Sequence, residues 1–294
     1  MDPNAPLPNV SSAERVERVV DGVRLHAVAA GDPDDPLVVL LHGFPEFWYE
    51  WREYVGRFVD AGYRVLVPDQ RGYNLSEKPH GVGSYRLPTL SSDVAALVDS
   101  EGNERAHVVG HDWGAAVAWD LALRRPEVVD RLAIVNVPHP KVLEETLRSN
   151  PRQLLKSWYV FAFQIPRLPE WASSRFDFAP WVLAMREPAN PGAFTETDFA
   201  RYRRAWSEPG APRAMINWYR AQVRYRDGLP RERVQAPTLV VWGENDQALV
   251  PEMAPRSVAY CEDGTLARFP EASHWVVHEY PDRVGELLLE HLAE

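Results

Sequence analysis

The sequence predicts an α/β fold, namely a doubly wound, mostly parallel sheet with a helical segment inserted before the last strands. Short aliphatic runs such as Leu37–Leu41 are typical of strands that are buried on both faces. These runs alternate with stretches of helical apolar spacing, which favours a parallel sheet. Between about Pro138 and Arg233 the sequence changes to aromatic helical segments broken by prolines, without a convincing buried strand.

The part before this insertion begins with a hairpin and continues as alternating strands and helices. Val16–Val20 and Val23–Ala29 flank Asp21-Gly22, a dipeptide typical of two-residue hairpin turns. Apolar spacing predicts helices near Tyr49–Asp60 and from Leu90 to Gly102. The strands expected here, besides Leu37–Leu41, are Tyr63–Val67, Ala106–Val109 and Leu132–Val137.

After Ala236 the strand pattern resumes with Thr238–Trp242 and Thr265–Phe269, followed by a helix near Asp282–Ala293. We therefore expect three segments: residues 1–137 as the first part of the core, 138–233 as a helical cap and 234–294 as the second part of the core. Ligands of such sheets bind at the carboxyl ends of the strands. The cap is expected to lie over that edge.

Composition restricts the class of protein. The formal net charge of the 294 residues is −10, which argues against nucleic acid or an anionic membrane as a partner. The single cysteine, Cys261, excludes an internal disulfide and a cysteine-based metal cluster. Met1–Ser12 lacks the apolar stretch of a signal peptide. We expect a cytoplasmic protein, and a homodimer is left open.

The motif Gly110-His111-Asp112-Trp113-Gly114 follows an apolar run and precedes a small-residue helical stretch. This strand–turn–helix context is typical of a nucleophile elbow, in which a sharp turn presents one side chain above the edge of a sheet. Serine usually occupies that position, whereas Asp112 occupies it here. The plainer alternative is an exposed aspartate that caps the following helix.

Two further groups complete a catalytic triad in the chain order nucleophile, acid, histidine that is expected for this elbow. Asp246 follows the strand that ends at Trp242, and His274 follows the strand that ends at Phe269. Glu244 is a rival for the acid. Asn136, which follows an earlier strand, is set aside because it carries no charge.

A carboxylate nucleophile attacks an electrophilic sp³ carbon more readily than an amide, and the product is an ester of the enzyme. His274, oriented by Asp246, would then activate water against that ester. The resulting oxyanion needs donors, which are expected from the backbone N–H groups of Trp113 and of Phe44 in the loop His42–Pro45. A helix-start turn is the alternative interpretation of that loop.

Five motifs together resemble the epoxide hydrolases of the α/β-hydrolase fold over nearly the whole chain beyond residue 14. They are His42-Gly43-Phe44-Pro45, Asp69-x-Arg71-Gly72, Gly110-His111-Asp112-Trp113-Gly114-Ala115, Gly243-x-x-Asp246 and Ser273-His274-Trp275. The resemblance implies conversion of an epoxide and water to a vicinal diol, without a cofactor or metal. The aspartate of the elbow is shared mainly with haloalkane and haloacid dehalogenases.

The same resemblance implies two cap tyrosines that hold and protonate the oxygen of the epoxide ring. Tyr159 precedes Phe163-Gln164-Ile165-Pro166, and Tyr219 ends Asn217-Trp218-Tyr219, which are similar to the two cap motifs of the family. Such donors are needed because an epoxide leaves as a strongly basic alkoxide. The abundant aromatic residues predict an apolar, aryl-substituted substrate. The expected contacts are Phe44, Trp113, Trp158, Trp181 and Trp275.

Other functions fit the sequence less well. A haloalkane dehalogenase would use Asp112 and His274 and one indole N–H of Trp113, but Phe44 stands where that family often has an asparagine. A fluoroacetate-type enzyme usually has arginine at the position of Trp113. A catalytically silent ligand receptor would not need the complete set of groups. A serine esterase is excluded because the elbow carries no serine.

Overall fold

A computed structural model of the protein describes residues 5–186 and 192–294. Within these residues, one sheet comprises the strands β1 (Glu14–Val20), β2 (Val23–Ala30), β3 (Leu37–Leu41), β4 (Arg64–Pro68), β5 (Ala106–His111), β6 (Val129–Val135), β7 (Thr238–Gly243) and β8 (Gly264–Phe269). Their spatial order is β1-β2-β4-β3-β5-β6-β7-β8. β1 and β2 are antiparallel, β2 is antiparallel to β4, and all other neighbouring pairs are parallel. The predicted fold class is confirmed.

The uninterrupted aliphatic runs in the sequence correspond to strands that are buried on both faces. β3 lies between β4 and β5, and all five of its residues are buried. A strand that is covered on both faces has no solvent side on which polar residues would alternate. β6 ends at Val135, two residues before the predicted end, because Asn136 adopts a φ of 48°, which is incompatible with extended backbone.

The helices flank the sheet or lie between β6 and β7. They are α1 (Arg52–Asp60), α2 (Leu87–Ser100), α3 (Trp113–Arg124), α4 (Pro140–Ser149), α5 (Pro151–Lys156), α6 (Trp158–Ala162), α7 (Leu168–Arg175), α8 (Ala179–Met185), α9 (Glu196–Trp206), α10 (Ala211–Arg224), α11 (Met253–Val258), α12 (Val276–Glu279) and α13 (Pro281–Ala293). The predicted helix at Tyr49–Asp60 begins as a 3₁₀ turn, Trp48–Trp51, before α1.

The described residues between β6 and β7 form the seven helices α4–α10. Two indoles connect them to the core: Trp206 donates to the carbonyl of Pro45, and Trp218 donates to that of Arg71 at 3.0 Å. The cap bounds 138–233 stay a prediction. Residues 187–191 within them, and residues 1–4 at the N-terminus, lie outside the described part. Among the helices that the structure describes, none has the length and apolar character needed to cross a bilayer.

The turn between β5 and α3 brings two backbones into close contact. Asp112, the one residue between the two elements, has a φ of 48°, a conformation that is strained for a residue with a side chain. A Cβ on Gly114 would lie 2.1 Å from the carbonyl oxygen of Leu41, and one on Gly110 would lie 2.5 Å from the backbone of Gly114. Glycine is therefore required on both sides of Asp112.

We predict that Gly114→Ala destabilises the protein by about 1–3 kcal/mol, because the added methyl group overlaps a strand backbone that has no room to move. Gly228→Ala is the matched control, since a Cβ there meets no atom within 4 Å, and its effect should stay within about 0.5 kcal/mol. Urea denaturation followed by circular dichroism measures both. Equal stabilities of the two variants would contradict the contact at the elbow.

Candidate active site

The elbow places the carboxylate of Asp112 between a backbone donor and a histidine. Its Oδ1 accepts the N–H of Phe44 at 2.7 Å, and its Oδ2 lies 3.4 Å from Nε2 of His274. Trp113 is the first residue of α3, so its N–H belongs to the end of a helix whose N–H groups lack intrahelical partners. One carboxylate oxygen is thus held by the loop, and the other faces the histidine.

His274 and Asp246 form the second half of the triad arrangement. Nδ1 of His274 lies 2.7 Å from Oδ2 of Asp246, and a proton on Nδ1 satisfies both atoms. Oδ1 of Asp246 accepts the N–H groups of Ala248 and Leu249 at 2.6 and 2.9 Å. The rival acid Glu244 instead pairs with Arg268 at 2.8 Å. The structure therefore brings Asp112, His274 and Asp246 together and leaves Glu244 outside.

The charges of these three groups support one another. Burial opposes ionisation of Asp246, but the charge and hydrogen bond of His274 hold its pKa below the ordinary value. Burial likewise opposes the charge of Asp112, and the contacts with His274 and the N–H of Phe44 lower its pKa. Burial favours a neutral His274, but the charge of Asp246 and the bonds to Asp112 and Asp246 raise its pKa well above the ordinary value. These pKa directions favour an imidazolium at His274 between the carboxylates of Asp112 and Asp246.

The two cap tyrosines meet above this arrangement. Tyr159 in α6 and Tyr219 in α10 contact each other edge to face, with ring centroids 5.8 Å apart. Burial, with a smaller contribution from the charge of Asp112, raises the pKa of both phenols. Both hydroxyl groups therefore keep their protons at neutral pH and are available as donors.

A cavity of about 590 Å³ connects these groups. Its wall includes Asp112, Tyr159, Tyr219 and His274, and also the predicted contact residues Phe44, Trp158, Trp181 and Trp275. Trp158 is 67 % exposed and lies at the mouth, whereas Trp181 and Trp275 are buried. The volume is in the range of small-molecule sites, and a mostly apolar wall with few polar groups is typical of them.

Trp113 differs from the other predicted contact residues. It is not part of the cavity wall, because its indole packs edge-on against Trp218 and Tyr219 at centroid distances of 5.6 and 4.9 Å. The side chain packs against Tyr219 and supports that ring. A direct contact between Trp113 and a substrate stays a prediction.

Asn136 is a site residue that sequence reasoning missed. Its Nδ2 donates to Oδ2 of Asp246 at 2.9 Å, and its Oδ1 accepts the N–H of Gly243 at 2.8 Å. The amide therefore holds the acid in place without being an acid. The available signal was an asparagine directly after a buried strand, a residue type that tolerates positive φ.

Of the described residues, Glu46, Glu50 and His111 form a group that has the composition of a metal site, with ligand atoms within 4.8 Å of one another. The carboxylates of Glu46 and Glu50 already form hydrogen bonds with other protein groups. Glu46 accepts from His278 at 2.8 Å, and Glu50 accepts the N–H of Gly43 at 2.7 Å. Two buried carboxylates that already hydrogen-bond to protein groups favour a structural role over cation binding.

Known proteins resemble this chain over most of its length. A family model described as the alpha/beta hydrolase fold matches residues 36–281. An AB hydrolase superfamily protein of Bacillus subtilis is 46% identical over 92% of this chain and 95% of its own length. Epoxide hydrolase 4 of Homo sapiens is 39% identical over 93% of this chain and 76% of its own length. A mutant epoxide hydrolase from Bacillus megaterium, crystallised with its product (R)-3-[1]naphthyloxy-propane-1,2-diol, superposes with a TM-score of 0.87 at 31% identity, covering 95% of this chain and 100% of the other.

We predict that Asp112→Asn lowers the pKa of His274 by about 1–3 units, because the ring loses one of its two neighbouring negative charges. The titration of the His274 ring is measured by long-range ¹H–¹⁵N NMR between pH 5 and 9. Asp130→Asn is the control, since Asp130 is only half-buried and faces His107 instead. A His274 pKa that is the same in Asp112→Asn and in the wild type would contradict the paired charges.

Proposed function

Because the chain belongs to the epoxide hydrolases of the α/β-hydrolase family, we propose that it converts epoxides to vicinal diols through a covalent ester on Asp112. The proposal rests on the different environments of the two carboxylate oxygens of Asp112. Oδ1 is bound by the Phe44 N–H at 2.7 Å, which leaves Oδ2 as the attacking atom.

In the first step, Oδ2 of Asp112 attacks one carbon of the ring and the bond from that carbon to the ring oxygen breaks. The oxygen leaves as an alkoxide and takes a proton from Tyr159 or Tyr219, whose raised pKa values keep the protons available. Donors fixed in place before the reaction lower the cost of charge that develops on the leaving oxygen. The product is an alkyl ester of Asp112.

Ester formation also prepares His274 for the second step. The ester carries no charge, so His274 loses one of the two carboxylates that raise its pKa and releases its Nε2 proton more readily. That proton replaces the one taken from the phenols. The neutral ring then accepts a proton from a water molecule that attacks Cγ of Asp112.

The tetrahedral oxyanion forms on Oδ1, where the Phe44 N–H already donates and where the N–H of Trp113 is the second proposed donor. Collapse of this intermediate breaks the bond between Cγ and Oδ2, and the departing alkoxide takes the remaining proton of the former water, which restores the carboxylate of Asp112 beside a protonated His274. The diol leaves with Oδ2, and the oxygen of water stays on Asp112. Asp246 keeps His274 in the required orientation throughout, with Asn136 and two backbone N–H groups holding Asp246.

The proposed substrate class is an apolar, aryl-bearing epoxide. The cavity wall contains Phe44, Trp158, Trp181 and Trp275 near the reacting groups. The relative from Bacillus megaterium binds a naphthyloxy-propanediol as its product. We therefore choose the corresponding terminal epoxide, a naphthyl glycidyl ether, as the probe substrate.

The first test of the mechanism follows the oxygen atoms. In a single turnover with excess enzyme in ¹⁸O-labelled water, we expect label in the peptide that contains Asp112 and a largely unlabelled first diol. His274→Gln should accumulate an adduct with the mass of one substrate, because ring opening does not need a base and ester hydrolysis does. Label in the first diol together with no adduct would show direct attack by water.

The second test addresses the cap. We predict that Tyr159→Phe and Tyr219→Phe each leave partial activity, since one phenol still donates to the alkoxide. The double variant should lose epoxide opening, by about 100-fold or more. Tyr225→Phe is the control because Tyr225 lies at the end of α10, away from the cavity wall. Diol formation at a wild-type rate by the double variant would rule out both tyrosines.

A further inference from the structure

The 3₁₀ turn before α1 contributes a buried carboxyl group that the mechanism above does not use. Glu50 is 1 % exposed and lies in the 3₁₀ turn Trp48–Trp51, directly before α1. Its Oε2 accepts the N–H of Gly43 at 2.7 Å, directly next to the Phe44 N–H that binds Asp112. Gly43 itself packs against the nucleophile, because a Cβ there would lie 2.5 Å from Cβ of Asp112.

The other oxygen of Glu50 reaches the catalytic histidine through His111. Oε1 of Glu50 lies 3.1 Å from Nδ1 of His111, and Nε2 of His111 lies 2.9 Å from the backbone carbonyl oxygen of His274. His111 is completely buried. A single side chain is thereby joined to both the oxyanion loop and the loop that carries the base.

Neighbouring groups determine the protonation of Glu50. Glu46 is adjacent and equally buried, and two buried carboxyl groups in contact do not both ionise. Glu46 accepts from His278 at 2.8 Å and from Tyr202 at 2.5 Å, so the charge belongs on Glu46. Burial and the charge of Glu46 raise the pKa of Glu50 well above the ordinary value, and burial lowers that of His111 to about 4. Other titratable groups facing Glu50 are Asp112, Tyr54 and Tyr73.

A neutral Glu50 and a neutral His111 satisfy every atom of this chain of contacts. The Gly43 N–H donates to Oε2, the proton on Oε1 is available to Nδ1 of His111, and the proton on Nε2 of His111 donates to the carbonyl of His274. An ionised Glu50 would leave Nδ1 and Oε1 as two facing acceptors, because His111 needs its one proton at Nε2. Because burial keeps His111 neutral, these two contacts are both satisfied when the proton lies on Glu50.

We propose that Glu50, as a neutral carboxylic acid, is a positioning residue that holds the oxyanion loop through Gly43 and the base through His111. The proposal rests on the proposed function, since it assigns Glu50 to the second step of that mechanism. Ester hydrolysis uses both the Phe44 donor and His274, whereas ring opening uses neither His274 as a base nor a new oxyanion. Loss of Glu50 should therefore slow hydrolysis of the ester more than its formation.

The test measures both steps separately by rapid quench and intact mass in single turnovers with the naphthyl glycidyl ether. Glu50→Leu, which removes both contacts, is expected to slow ester hydrolysis by about 10- to 100-fold and to leave ester formation nearly unchanged. Glu50→Gln keeps a neutral acceptor and donor of the same size, so it should retain the wild-type rates of both steps. Glu53→Leu, an exposed position one turn along, is the matched control and should behave like the wild type.

Three outcomes overturn the proposal. They are wild-type hydrolysis by Glu50→Leu, equal slowing of both steps by that variant, and a loss in Glu50→Gln as large as in Glu50→Leu. If Glu50→Leu does not fold, the ¹³C resonance of the Glu50 carboxyl still tests the proposal. This resonance is assigned by its absence in Glu50→Gln. It should have the shift of a protonated acid and stay constant from pH 5.5 to 8.5. A wild-type enzyme that forms no ester at all would instead contradict the proposed function.

Discussion

The active site depends on the close approach of strand and helix backbones at the turn around Asp112. Gly110 and Gly114 leave room for β5 and α3 to meet, and the turn holds Asp112 at a φ of 48°. This conformation directs the carboxylate toward the loop of Phe44 on one side and His274 on the other. Local strain is tolerated because the surrounding buried sheet determines where both backbones run.

Around this turn, neighbouring groups and burial determine the protonation state of each ionisable side chain. Asp112 and Asp246 keep their charges because His274 lies between them. The phenols of Tyr159 and Tyr219 keep their protons because burial disfavours phenolate. Nucleophile, base and proton donors thus coexist at one pH without a metal being invoked in any step. The same residue types would have other protonation states in water, so burial is part of the chemistry.

The sheet and the order of the triad could be predicted from sequence because both follow local rules. Aliphatic runs such as Leu37–Leu41 indicate buried strands, and chain order assigned Asp246 and His274. The role of Asn136 could not be predicted, because it depends on a backbone turn and on Asp246, 110 residues away. Glu50 escaped notice for the same reason, since His111 is 61 residues away. Trp113 packs edge to face against Tyr219, and this contact depends on how α10 docks against the core.

The reacting groups are divided between the two parts of the chain. The nucleophile and the base belong to loops at the strand ends, whereas Tyr159 and Tyr219 belong to α6 and α10, which lie between β6 and β7. The segment that forms helices α4–α10 therefore also contains both proposed proton donors, Tyr159 and Tyr219. Recombination that exchanges this segment between relatives transfers the two proposed proton donors together with the part of the pocket wall that contains Trp158 and Trp181. Diversification of such enzymes thus has a modular route in which the hydrolytic half is inherited unchanged.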